Sequence, residues 1–446
     1  MPSLRTHPLR RLTLAAGLVG LLVAGLQPLA TAASPSLALV NTAAGSIAAG
    51  EGHTCAVKSD GTVWCWGGAS DGEVGDGTRG DINFRRLTPV QVVDGGGGFL
   101  TGVKAVTANW YTTCALKTDG TVWCWGEGQL GQLGNNTGGG DGGPQSLVPV
   151  QVVHGGGFLT GVAAISGGSR HNCALKTDGT VWCWGYDGFG QLGDGTLGTG
   201  NYQTRLTPVQ VVLGTGKMTG VIAIAAGGAS TCAIRSGGTV WCWGDDYYGE
   251  LGDGTRGGAN HLRPKPVQVV QGTGKLASAT AIAAGSGHTC VRKSIGTVWC
   301  WGWDWAGQIG DGTRGNTSHL RLKPIQVVYG TGKLTGIAKI TANNQHTCAV
   351  KTTGTVWCWG YDYWGQLGDG TRGNTIHMRL KPVQVVYGTG KLTGVARIAA
   401  GGEDTCAVKS VGTMWCWGLD STGQLGDHTL GASAHLRLKP VQVLFP

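Results

Sequence analysis

The sequence predicts an all-β protein, a seven-bladed β-propeller with four antiparallel strands per blade. Three observations lead there. Glycine supplies 84 of 446 residues, which rules out long helices at about 1 kcal/mol per interior glycine. The fourteen cysteines form seven pairs, each ten residues apart, and the pairs recur every 59 or 58 residues. Repetition on that scale marks a solenoid, propeller or array. Each copy, finally, divides into four short β-type segments. Collagen is excluded by the lack of a Gly-X-Y period. With 18 Trp and 41% hydrophobic residues, the chain is also too apolar to be disordered. A rod-like solenoid is the rival architecture, but it prefers shorter repeats.

The first segment reads as an address. Arg5, Arg10 and Arg11 precede an apolar run from Leu12 to Leu26, and Ala30-Thr31-Ala32 offers a cleavage site. That layout predicts a secretory signal peptide over residues 1–32, with 33–45 as a short lead. A membrane anchor is the weaker reading, because Gln27-Pro28 interrupts the apolar run. Cleavage removes three arginines and no acids, lowering the net charge from +9 to +6. A soluble, secreted protein is expected, with no membrane span. A mild positive charge is no nucleic-acid signature.

The propeller then occupies 46–446, with copies starting near 46, 105, 164, 223, 281, 339 and 397. Small residues such as Ile47-Ala48-Ala49 open each copy and suit an innermost strand, where a radial sheet tapers toward its axis. The residue after that strand is always Gly or Asn (Gly50, Asn109, Gly168, Gly227, Gly285, Asn343, Gly401), which predicts positive φ there. The second strand starts at Cys55 and the third is Thr62-Val63-Trp64-Cys65-Trp66. Between them, Ser59-Asp60-Gly61 is a three-residue hairpin loop with glycine in the left-handed position. The fourth strand is Pro-Val-Gln-Val-Val. Its opening proline (Pro89, Pro149, Pro208, Pro266, Pro324, Pro382, Pro440) suits an outer edge, where a missing N–H costs little.

This loop fixes a register in which Cys55 faces Cys65 on a non-hydrogen-bonded pair, whose Cα atoms approach to about 4.5 Å. That separation suits a disulfide. One bridge per blade is predicted: Cys55–Cys65, Cys114–Cys124, Cys173–Cys183, Cys232–Cys242, Cys290–Cys300, Cys348–Cys358 and Cys406–Cys416. Zinc is the rival for paired cysteines, but no histidine stands at metal-ligand spacing. No metal and no cofactor is expected.

The stretch Ile282-Ala-Ala-Gly-Ser-Gly-His288-Thr-Cys-Val, then Gly296-Thr-Val-Trp-Cys-Trp-Gly302, then Gly307-Gln-Ile-Gly310, resembles the RCC1 (regulator of chromosome condensation) repeat. The paired cysteines and leader point to a secreted bacterial type. The resemblance implies a seven-bladed propeller but no single activity. The family's founder is a nucleotide exchange factor for the GTPase Ran and binds chromatin; a leader and disulfides argue against that role here. A plant UV-B photoreceptor of the family carries Gly-Trp-Arg-His-Thr motifs, whereas this chain reads Gly52-His53-Thr54, so photoreception is not supported. A secreted β-lactamase-inhibitory relative, which binds a protein on one face, is the precedent in compartment.

Candidate binding residues lie in the long third–fourth loops, since long loops on rigid scaffolds carry function. They are Tyr186, Phe189, Tyr247, Tyr248, Trp303, Trp305, Tyr361, Tyr363 and Trp364, an arc on four consecutive blades, with Trp110 and Tyr111 from a first–second loop on the same face. Aromatics with interleaved acids suit a binding hot spot or a sugar-stacking platform; loop packing is the plain alternative. His261, His319, His377 and His435, each followed by an arginine two residues on, read as a solvated basic loop, or else as a rim for an anionic polymer. Gly-Thr-Gly-Lys stretches at Gly214, Gly272, Gly330 and Gly388 lack the rest of a phosphate loop. No catalytic constellation stands out. The expectation is a monomeric binding module for a protein, and not an enzyme. A carbohydrate or cell-envelope binder, or a propeller hydrolase or lyase, is the alternative.

Overall fold

The computed structural model describes residues 47–81, 83–138, 145–198, 203–256, 261–315, 318–372, 376–430 and 435–446. The expected signal peptide and lead lie outside the described residues. Seven four-stranded antiparallel sheets follow one another, each with its strands in chain order. The first comprises Ile47–Ala49, His53–Val57, Val63–Gly68 and Arg85–Gln91. The last comprises Val395–Ala400, Asp404–Lys409, Met414–Leu419 and Leu436–Gln442. Together they form the expected seven-bladed propeller.

The hairpin register is the expected one. Val57 pairs with Val63, Ala56 with Trp64 and Cys55 with Cys65, and Gly61 sits at φ 79°. All seven disulfides are formed, with Cα separations of 4.0 to 4.1 Å. Each pair is buried against the next blade. Cys55 and Cys65 pack with Trp125, and Cys406 and Cys416 pack with Trp66 across the seam between the last and first blades.

Three local readings need correction. From the second blade on, the first strand starts two residues early, at Val103 rather than 105, because a bulge between Val103 and Ala105 extends it. Proline does not open the fourth strand. It sits inside it, where the register shifts between Cys65 and Gly67 and no N–H is needed. Nor do the glycines after the first strand have positive φ: Gly50, Gly168, Gly227, Gly285 and Gly401 are all absent from that region. Close approach is the cause. A Cβ on Gly227 would lie 2.4 Å from the Gly285 carbonyl of the next blade.

That close approach lets neighbouring blades bond around the axis. The N–H of Glu51 donates to Asn109 O, Ser169 to Gly227 O, Gly228 to Gly285 O, Ser286 to Asn344 O and Gly402 to Gly50 O. At the two copies with asparagine the side chain takes over: Asn109 Nδ2 reaches Asn172 Oδ1 at 2.9 Å, and Asn343 Nδ2 reaches Ala400 O at 3.2 Å. The ring is therefore tied at every junction, including last to first.

Candidate interaction face

The antiparallel order separates two faces. On one, the first–second loops meet the third–fourth loops, as where Gly68 N donates to Gly52 O and Glu127 N to Tyr111 O. On the other, the hairpin turns touch the links between blades: Val103 N donates to Gly61 O and Thr118 N to Gly102 O. We call these the loop face and the turn face.

A Gly-Gln-Leu-Gly element, starting at Gly131, Gly190, Gly365 and Gly423 and varied at Gly72, Gly249 and Gly307, builds the loop face. The carbonyl of its second residue, Gln or Glu, accepts two bonds from the following blade, one from the second tryptophan and one from a threonine, or from Asn172 at Gln132. Gln191 O, for example, accepts Trp243 Nε1 and Thr231 Oγ1, both at 2.9 Å. In five blades an Asp just before it accepts a backbone N–H, as Asp304 Oδ1 does from Ile309 at 3.2 Å. These Asp residues are fully buried. Burial raises Asp187, Asp246 and Asp420 to about 7, and Asp304 and Asp362 to about 8.

On this frame the predicted aromatics divide. Seven form one ladder over blades four to six. Tyr247 meets Tyr248 edge-on, and Tyr248 stacks on Trp303 at 4.7 Å. Trp303 stacks on Trp305 at 6.1 Å, Trp305 leans on Tyr361, and Tyr361 stacks on Tyr363. Trp364 closes the run edge-on against Tyr363. Arginines cover its outer side: Arg256 over Tyr247, Arg314 over Trp305 and Arg372 over Tyr363. Tyr186 and Phe189 are a separate edge-on pair on blade three. Trp110 lies under Arg170 and lines the axial cavity, about 140 Å³. Tyr111 stands apart, 41% exposed.

The recurrent histidines have other roles than the sequence suggests. His261, His319 and His377 are half-buried and His435 is exposed, so the four are solvated in part, but they also have a structural task. They hold φ near 55° and bond the loop backbone through Nδ1, as His261 does to Arg256 O at 2.7 Å. The arginines that follow are neutralised by Asp residues ten positions earlier, as in Arg379–Asp369 and Arg437–Asp427. These pairs offset the charge of the arginines that a basic rim would use. His53, His171, His288 and His346 are buried. His53 Nε2 bonds Thr113 Oγ1 at 2.8 Å, and that hydroxyl's one proton goes to Glu73 O, so Nε2 must carry the hydrogen. Burial holds these histidines neutral, down to about 4, 3, 3 and 4. They join blades.

Sequence reading missed an acidic sector that completes the loop face. Burial raises Glu51, and Glu403 raises it further; Asp404 is raised in the same way, with Glu51, Asp420 and Glu403 adding. Glu403 accepts a bond from Trp364, which ties this sector to the aromatic ladder. Only the pairing of a first–second loop with its neighbour brings these acids together. Among the described residues no group of three His, Cys, Asp or Glu is placed to hold a metal, and no helix is long and apolar enough to cross a membrane.

Comparison with known proteins agrees with the repeat. Residues 17–318 match the RCC1-like domain family, and residues 296–350 and 353–408 match the RCC1 (regulator of chromosome condensation) repeat. The ultraviolet-B receptor UVR8 of Arabidopsis thaliana is 29% identical over 85% of this chain and 78% of its own. Human E3 ubiquitin-protein ligase HERC2 is 30% identical over 86% of this chain, a stretch that is only 7% of that ligase. The crystal structure of Prp20p from Saccharomyces cerevisiae, described with its binding to Gsp1p and histones, superposes with a TM-score of 0.68. It is 19% identical and covers 87% of both chains.

Proposed function

This chain belongs to the RCC1-like propeller family, and from that premise we propose that it is a secreted interaction module that binds a protein through its loop face. The observation that carries the reading is the aromatic ladder. Seven rings from three blades lie side by side on one face, with Tyr247 48% exposed at its end. Aromatic and arginine side chains together are the composition of binding hot spots, and the ion-paired loops beneath hold them in place. Binding of Gsp1p and histones by Prp20p supports protein recognition as a use of this fold. The leader that the sequence predicts and the seven buried disulfides support export.

A sugar platform needs an open ring face. Here Tyr248 and Trp303 stack on each other, and Arg314 and Arg372 lie over the rings of Trp305 and Tyr363, which weighs against the carbohydrate reading. An enzymatic role finds no support in the buried histidines, whose bonds join blades. The test is capture of a partner by immobilised protein from the native cell envelope. Trp305→Ala with Tyr363→Ala abolishes capture if the ladder binds, and leaves it intact if those rings only pack loops.

A further inference from the structure

The turn face is electrically divided. In its segments from blades four to seven (209–223, 234–240, 267–281, 292–298, 325–339, 350–356, 383–397 and 408–414) there are eleven Lys or Arg and no Asp or Glu. The corresponding segments of blades one to three (57–63, 90–105, 116–122, 150–164 and 175–181) hold four of each sign. Residues 1–46 contain no acid that could neutralise the excess.

Two sets account for six of the eleven cations of this half-ring. Lys275, Lys333 and Lys391 are exposed on short hairpins, whose leading glycines, Gly272, Gly330 and Gly388, have nothing within 4 Å of a Cβ. These are the Gly-Thr-Gly-Lys stretches, and they project into open space. Nearer the axis, Lys339 stands where four other blades have buried alanine. Its ammonium is lowered by burial and by Arg397 and Arg292, from the two flanking blades.

The same half-ring carries the most exposed large hydrophobics among the described residues, Val411 at 79% and Ile295 at 76%. Both sit at hairpin turns, at the position that Asp60, Asp119 and Asp178 fill in blades one to three. On blades five and seven an aliphatic tip thus stands in place of the acid, while blades four and six have Gly237 and Thr353 there. Cations alone would suit any polyanion. Protruding aliphatic tips among cations suit a surface with an apolar interior beneath anionic groups.

We propose that the turn face of blades four to seven docks peripherally on an anionic lipid bilayer, with Ile295 and Val411 entering the acyl boundary and the lysines meeting headgroup phosphates. Each cation near such a surface raises binding roughly fivefold, so several are needed.

Co-sedimentation with vesicles tests this. The protein binds mixed phosphatidylglycerol–phosphatidylcholine vesicles and not pure phosphatidylcholine, and added salt weakens binding. Ile295→Asp with Val411→Asp lowers binding at least about tenfold. That variant restores a turn the chain already folds in three blades, so its thermal unfolding stays at the wild-type temperature. Lys275→Ala with Lys333→Ala and Lys391→Ala also lowers it, while Lys58→Ala with Lys117→Ala and Lys176→Ala does not. The proposal is overturned if neither vesicle is bound, if the tip variant binds anionic vesicles as tightly as wild type, or if soluble polyphosphate is bound while vesicles are not.

Discussion

Trp66 Nε1 donates to the backbone carbonyl of Gln424 at 2.8 Å, across 358 residues of sequence. Thr54 Oγ1 donates to the same oxygen at 3.0 Å. Inside the chain the same joint recurs between consecutive blades, as between Trp125 and Glu73 O at 2.9 Å. The ring is thus sealed by an ordinary blade junction, with Phe445 packed edge-on against Trp64 and Trp66 on its outer side.

If the seam is an ordinary junction, Trp66→Phe and Trp125→Phe should cost about the same. Each leaves a buried carbonyl with one donor fewer, about 1–2 kcal/mol. Urea unfolding of the two variants makes the comparison. A near-neutral Trp66→Phe beside a costly Trp125→Phe would mean that the ring is held elsewhere.

No cysteine is free, and every bridge is buried. Intact protein should resist mild reductant and show no reactive thiols until unfolded. Its mass should be that of a chain starting at Ala33 with fourteen hydrogens missing. Removing one bridge, as Cys290→Ala with Cys300→Ala, should cost up to about 3 kcal/mol yet leave a folded propeller. A cooperative loss of all structure would mean that the bridges do more than brace single hairpins.

Stability should fall as pH rises from about 6.5 to 8. Buried Asp304 and Asp362 are raised to about 8, so the folded chain binds more protons than the unfolded one above the unfolded carboxyl pKa. The stability this gives is lost as pH passes through the folded value. The buried histidines act oppositely, because their lowered values make acid destabilising, but only below the unfolded value near 6.5. Above it the carboxyls act alone. Asp304→Asn should therefore raise the unfolding temperature at pH 9 more than at pH 6. An equal change at both would show that Asp304 is already ionised.

How far the sequence reaches follows from the range of each interaction. The disulfide register was readable because Ser59-Asp60-Gly61 links the paired residues directly. Blade number followed from the cysteine period. The glycine after the first strand was misread, since its constraint comes from a carbonyl about 60 positions away. The arginines after the recurrent histidines pair with Asp residues ten positions earlier, a spacing that no strand or turn rule supplies. The aromatic arc was visible as composition, but which rings would stack, and that Tyr186 and Phe189 would stand apart, depended on blade spacing.

The loop-face assignment is tested most directly by a hydrogen-exchange footprint of the complex with the captured partner. Binding through the ladder gives protection at residues 245–248, 303–306 and 361–364, with the hairpins at 272–275, 330–333 and 388–391 unchanged. Protection confined to those hairpins, with the ladder segments exchanging as in the free protein, would contradict it.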